Sequence, residues 1–210
     1  MAKRKKKKQY EAFGINKIPI LLSVIIILVG SIVFFISLSG LSKPSVRHEV
    51  HVEEDLSHTE FINTLVPVAQ ELHQTYGILP SIILGQAILE SDWGKSELSA
   101  KYNNLFGIKS FNPHDESVKL TTKEYKDGQW IEIKANFKVY ASWSDCMKDH
   151  TMLFVNGVDW DPYLYQGVLL ASDYQTAAKA LQASGYATDP GYANKVIEVI
   201  ESNQLYRYDQ

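Results

Sequence analysis

The sequence predicts an α+β domain, mostly helical and interrupted by one β-hairpin, preceded by a single N-terminal transmembrane helix. Three observations carry this. Residues 18–38 are an uncharged apolar run. Helix-start signals recur on both sides of the chain's middle, and the hydrophobic period switches to two around Lys126-Asp127-Gly128-Gln129.

The run IPILLSVIIILVGSIVFFISL, residues 18–38, holds 21 residues without a charge. At about 1.5 Å per residue a helix of it spans roughly 30 Å, the depth of a bilayer core. Signal-peptide cores run only about 7–15 residues, so the length favours a retained anchor. The small residues at Ser37-Leu38-Ser39-Gly40 leave cleavage as the other reading, and no cysteine follows to carry a lipid. The net charge of −3 hides a charge of +6 in residues 1–17 and −9 in the remainder. Lys3 to Lys8 therefore read as a cytoplasmic tail, with the chain beyond the span outside the cell. KRKKKK could also suit nucleic acid, but its place directly before a span makes topology the better account. The reading is a cytoplasmic tail over 1–17, a span over 18–38, an extracellular linker over 39–56 and a domain over 57–210. Cys146 is the one cysteine, so no intrachain disulfide forms and the domain must be held by its core.

The linker is polar, contains Pro44 and lacks apolar periodicity. His48 and His51 lie there beside acidic residues, but ligands on a solvated linker are poorly organised for a metal. Ser57 and Glu60 have capping-box spacing, and Phe61, Leu65, Val68 and Leu72 recur at helical intervals up to Gly77. Pro80 fits the first turn of a second helix running to Glu90. Residues 98–112 read as an irregular loop. Leu120–Tyr125 and Trp130–Val139 then flank an Asp-Gly turn, with Ile131, Ile133, Ala135, Phe137 and Val139 on one face. Ser142 with Asp145, Ser172 with Gln175, and Asp189-Pro190 open three further helices.

There is no HExxH, no cysteine pair at metal spacing, no phosphate-binding glycine loop and no GxSxG, so no metal or cofactor is expected. Cys146 on a predicted helix reads as a buried structural thiol. Carboxylates remain. Glu90 follows Ile83 and Ala87 at i−7 and i−3 and precedes Trp93 at i+3. That setting suits an acid whose proton is retained by burial, as glycosidic-bond cleavage requires. It equally suits a helix-terminal glutamate paired with Lys95.

The segments LPSIILGQAILESDWGKSELSAKYNNLFGIK, TTKEYKDGQW and SGYATDPGYANKV, in that order, resemble the glucosaminidase domain of glycoside hydrolase family 73, a group of bacterial peptidoglycan hydrolases. The similarity covers about residues 57–207. It implies a lysozyme-like helical fold with a β-lobe across the cleft, and a substrate of peptidoglycan glycan strands cut between N-acetylglucosamine and N-acetylmuramic acid. It implies Glu90 as the general acid and Glu124, on the hairpin, as the second carboxylate. Trp93, Asn103, Asn104, Phe106 and Tyr192 are implied to line the saccharide site. Two routes are then open: inversion with Glu124 activating water, or attack by the sugar's own 2-acetamido group, oriented by a polar group such as Tyr192. A muramidase or lytic transglycosylase on the same fold, or a wall-binding domain without activity, are the rival readings.

Overall fold

The computed structural model describes residues 49–126 and 129–210, with side-chain surroundings from His58 onward except at positions 123–130. The predicted cytoplasmic tail, the predicted span and the Asp127-Gly128 turn lie outside the described residues. Among the described residues no helix is long and apolar enough to cross a membrane.

Helix α1 runs Glu49–Tyr76, so it begins inside the segment read as linker. Pro67 lies within α1 and removes one ladder hydrogen bond. The helix stops at Gly77, whose N–H donates to the His73 carbonyl (2.8 Å).

Helix α2, Pro80–Ser91, is the centre of the domain: every residue but Leu89 is buried. A helix apolar on all sides must be surrounded, and α2 packs on α1, on α7 (Tyr192–Ser202) and on a closing 3-10 turn at Leu205–Tyr208. Leu79 offers its N-terminus no side-chain cap. Asp209, far off in sequence, supplies one by accepting from the Ser81 N–H (2.8 Å) and the Ser81 hydroxyl (2.7 Å). Gly85 faces α7 closely: a Cβ there would stand 2.9 Å from Ile200 Cγ1, so a larger residue would require that side chain to shift.

After α2 the chain turns sharply, with Asp92, Trp93 and Gly94 all at positive φ (51°, 60° and 77°). Gly94 is required twice over, by φ and because a Cβ would lie 2.8 Å from Phe61 and 3.0 Å from Trp143. Ser91 Oγ ties the turn by accepting from the Gly94 N–H (2.7 Å) and donating to the Ala87 carbonyl (2.6 Å).

The predicted irregular loop instead opens with a short helix, α3 (Glu97–Tyr102), capped by Ser96, whose hydroxyl accepts from the Ser99 N–H. The hairpin pairs β1 (Ser117–Lys126) with β2 (Gln129–Lys138) antiparallel, Val118 opposite Phe137 and Glu124 opposite Ile131. The shared apolar face is covered at one end only. Phe137 is 6% exposed, whereas Ile131, six residues nearer the turn, is 37% exposed.

Helix α4 (Trp143–Asn156) starts where predicted, with Ser142 accepting from the Asp145 N–H. Short helix α5 (Gln166–Leu169) had no clear signal in the sequence. Helix α6 (Tyr174–Ala183) is capped by Asp173 rather than Ser172; its carboxylate accepts from both the N–H and the hydroxyl of Thr176. Asp189 precedes α7 by a turn, accepting from the Gly191 N–H and pairing with Lys195 (2.6 Å).

Candidate active site

Glu90 lies one residue before the C-terminal end of α2 and is only 4% exposed. It is thus no surface carboxylate closing a helix. Oε1 accepts from the Tyr192 hydroxyl (2.8 Å), brought across by the first turn of α7, while Oε2 is buried with no hydrogen-bond partner. Burial raises the Glu90 pKa well above the ordinary carboxylate value, opposed by the Tyr192 hydrogen bond and the charge of Lys195. Burial thus favours the neutral form of this carboxyl, one oxygen of which has no partner.

Tyr192 is buried as well. Its hydroxyl accepts from Gln86 Nε2 (2.9 Å) while donating to Glu90. Burial, with the nearby Glu90 charge, pushes its own pKa well up, so it stays a neutral donor. Its ring lies 5.7 Å from that of Tyr186, and the Tyr186 hydroxyl meets His150 Nε2 at 3.0 Å. His150 is buried, its pKa lowered to about 3 by desolvation, and it stacks on Phe106 at 3.7 Å. A continuous buried row of polar side chains and rings therefore runs from Glu90 to Phe106.

The other expected residues are placed differently. Trp93 stacks on His58 of α1 (3.6 Å, 3° between planes) and meets Phe61 edge-on, so one face of its indole is occupied. Asn103 caps α3 in the left-handed region and donates to the carbonyls of Tyr140 and Ala141 (3.0 and 3.3 Å). Asn104 is buried. It donates to the Ile108 and Lys138 carbonyls (both 2.9 Å) and accepts from the Ile108 N–H (2.9 Å). Phe106 is fully buried. Asn104 and Phe106 thus build the loop and brace β2 from within. In this structure the Asn104 amide is engaged by backbone groups and Phe106 is covered, so neither side chain is exposed to solvent. Glu124 lies in β1 opposite Ile131; strand alternation puts positions 118, 120, 122 and 124 in the row paired with Phe137, Ala135, Ile133 and Ile131. Its side chain lies outside the described residues.

Sequence reading missed Gln86. Its spacing of four from Glu90 puts both on one helix face, which is the signal that could have found it. Cys146, read as structural, is buried, accepts from the Leu105 N–H (3.3 Å) and has its pKa pushed up to about 12, mainly by burial. A cavity of about 410 Å³ lies beside the row, lined by Ile108, Phe111, Lys138, Asp149, His150 and Tyr186 among others. Glu90 is not part of its wall; Tyr186 is, and its ring lies against that of Tyr192, which bonds Glu90.

The family model "Glucosaminidase: Mannosyl-glycoprotein endo-beta-N-acetylglucosaminidase" matches residues 66–205, a span that includes Glu90, Glu124 and Tyr192. The chain belongs to the glucosaminidase family. As a glucosaminidase-family domain it is 42% identical to the exo-glucosaminidase LytG of Bacillus subtilis over 93% of this chain and 69% of that one. It is 37% identical to a probable N-acetylmuramidase of Lactococcus lactis subsp. cremoris over 73% of this chain, but spans only 35% of that relative's length. The catalytic domain of the autolysin Auto from Listeria monocytogenes superposes with a TM-score of 0.66 at 36% identity, covering 80% of this chain and all of that one. The fold is the mostly helical, lysozyme-like glucosaminidase fold with a two-stranded sheet, and the chain is a glycoside hydrolase.

Proposed function

We propose that this glucosaminidase-family chain is a peptidoglycan hydrolase that cuts the glycan strand on the N-acetylglucosamine side, with Glu90 as its general acid. The observation that carries this is the buried Glu90 carboxyl, held by Tyr192 on Oε1 and unpartnered on Oε2. A glycosidic oxygen leaves as an alcohol only if a proton reaches it as the C–O bond breaks, and a carboxyl kept neutral by burial supplies that proton. Proton transfer leaves Glu90 as a carboxylate, which the Tyr192 hydroxyl and Lys195 then stabilise.

The electron-deficient anomeric carbon needs a partner on its other side. An N-acetyl sugar carries one, the acetamido carbonyl oxygen, which closes onto the carbon and is later displaced by water with retention. Alternatively Glu124 deprotonates a water that attacks directly, with inversion. We favour the acetamido route. The Tyr192 hydroxyl hydrogen is engaged by Glu90 in this structure, so a different polar group would orient the acetamide. NMR of the first-formed product resolves the anomer, and net inversion rejects this choice in favour of Glu124. With Glu90 covered, a strand reaches Oε2 only when the wall over it yields, a gating step of the kind that often limits turnover.

We also propose that residues 18–38 anchor the enzyme, with residues 1–17 cytoplasmic and the domain outside. The similarity to LytG supports this, since a match over 93% of the chain extends upstream of the domain into that apolar segment. Fractionation with protease protection of intact cells tests it, and a fully released, shortened product rejects it.

The defining experiment incubates the full chain and its Glu90→Gln form with purified peptidoglycan and reads the new ends by mass spectrometry. Reducing N-acetylglucosamine ends from the wild type alone are expected. Reducing or anhydro-N-acetylmuramic acid ends would transfer the assignment to the muramidase reading, which the lactococcal relative's name favours. No ends from either would leave a wall-binding domain. The pattern of release also separates endo from exo action.

A further inference from the structure

We propose that Gln86 is a positioning residue: by holding the Tyr192 hydroxyl it fixes which oxygen of Glu90 carries the transferable proton. The inference rests on the reading of Glu90 as the acid. A tyrosine hydroxyl has one hydrogen to give. Gln86 Nε2 donates to the Tyr192 oxygen at 2.9 Å, so that hydrogen points elsewhere, and the acceptor facing it is Glu90 Oε1 at 2.8 Å. With Oε1 occupied as an acceptor, the carboxyl proton resides on Oε2, the oxygen with no other partner. All three side chains are buried, where such a relay is not competed away by water. Gln86 and Glu90 are on one face of α2, and the Gly85 contact with Ile200 sets how near α7 brings Tyr192 to both.

The surroundings leave this relay in command of the proton. The titratable groups that act on Glu90 are Tyr192 and Lys195 from α7, with Tyr186, from the loop before α7, sensing the Glu90 charge in turn. Lys195 is engaged by Asp189 at 2.6 Å, and Tyr186 by His150, with the Gln86 amide also acting on the Tyr186 hydroxyl. Neither meets a Glu90 oxygen, so the orientation of the acid is left to the Gln86–Tyr192 pair.

The test is a titration. The full chain is labelled with ¹³C at glutamate carboxyls, and the Glu90 resonance is assigned by its loss in Glu90→Gln. Its midpoint is followed in wild type, Gln86→Met, Tyr192→Phe and the double variant. Losing the Gln86 donor frees the tyrosine hydrogen, so the carboxylate loses stabilisation and the midpoint moves upward in both single variants. Because both act through one bond, the double variant moves no further than Tyr192→Phe alone. In hydrolysis assays the high-pH limb of kcat moves upward with the midpoint. The maximum falls about ten-fold in Gln86→Met, the rate equivalent of one net hydrogen bond, with KM unchanged. An unmoved midpoint in Gln86→Met, or an additive shift in the double variant, overturns the proposal. Gln86→Leu serves the same comparison if the Met form does not fold. A wild type that titrates as described yet releases no glycan ends would reject the hydrolase reading and leave the relay standing.

Discussion

At the residue scale, the acid proposed for this domain is a group that the fold would be more stable without. Glu90 has a folded-state pKa above its unfolded value because burial penalises its charge. Between those two values the folded state holds a proton that the unfolded chain has released, so stability falls as pH rises through that window. Glu90→Gln keeps the shape and removes the charge. We expect it to abolish hydrolysis, in line with the ~10²–10⁴-fold contribution of a general acid, while raising Tm relative to wild type. The gain should be absent below the ordinary carboxylate range and grow with pH above it. A thermal melt series across pH measures this, and an equal Tm at all pH values contradicts it. Glu90 was legible because apolar residues at i−3 and i−7 announce a buried helix face. Whether it was an acid or a partner for Lys95 was not, because spacing cannot say what α7 brings across from a hundred residues away. The same limit hid the burial of Asn104 and Phe106, because a motif shows that a residue is needed and only packing shows what surrounds it.

At the level of elements, capping and period located most boundaries correctly, and the failures share a cause. Helix α1 starts earlier than read because the apolar stripe that marks a helix in sequence begins only at Phe61, well inside it. Helix α3 was hidden because six residues give too short a window for periodicity. The cap of α6 fell to Asp173 rather than Ser172 because an adjacent carboxylate suits a cap by type as well as a serine does, and only geometry chooses. The α2–α7 contact was illegible, since nothing local links Gly85 to Ile200. It also makes a prediction. Gly85→Ala gains about 1 kcal/mol of helix propensity but overpacks the contact at a cost of about 1–3 kcal/mol. The net effect on stability should therefore be modest. Activity should suffer more, because α7 carries Tyr192 and is displaced relative to Glu90. Kinetics together with denaturant melts separate the two, and a variant that loses stability without losing kcat would refute the coupling.

For the molecule as a whole, the working position of the domain follows from where α1 begins. With the helix starting at Glu49, only residues 39–48 separate it from the proposed anchor, a reach of roughly 35 Å when fully extended, against the roughly 60 Å implied by an extended linker over 39–56. The hydrolase should therefore act on glycan next to the membrane. Inserting a flexible segment after Ser39 should shift cleavage toward older, outer wall, read by pulse-labelling the glycan before digestion; an unchanged age profile would contradict the tether. Helix α1 has a second duty, because its His58 and Phe61 rings hold the Trp93-Gly94 turn directly behind Glu90. The element nearest the anchor is thus also part of the wall of the site. If the proposed anchor holds the membrane while the domain grips a strand, any relative movement of wall and membrane enters the domain through α1, beside the His58–Trp93 stack. Under the two proposals together, strain in the envelope would reach the turn that follows the proposed acid.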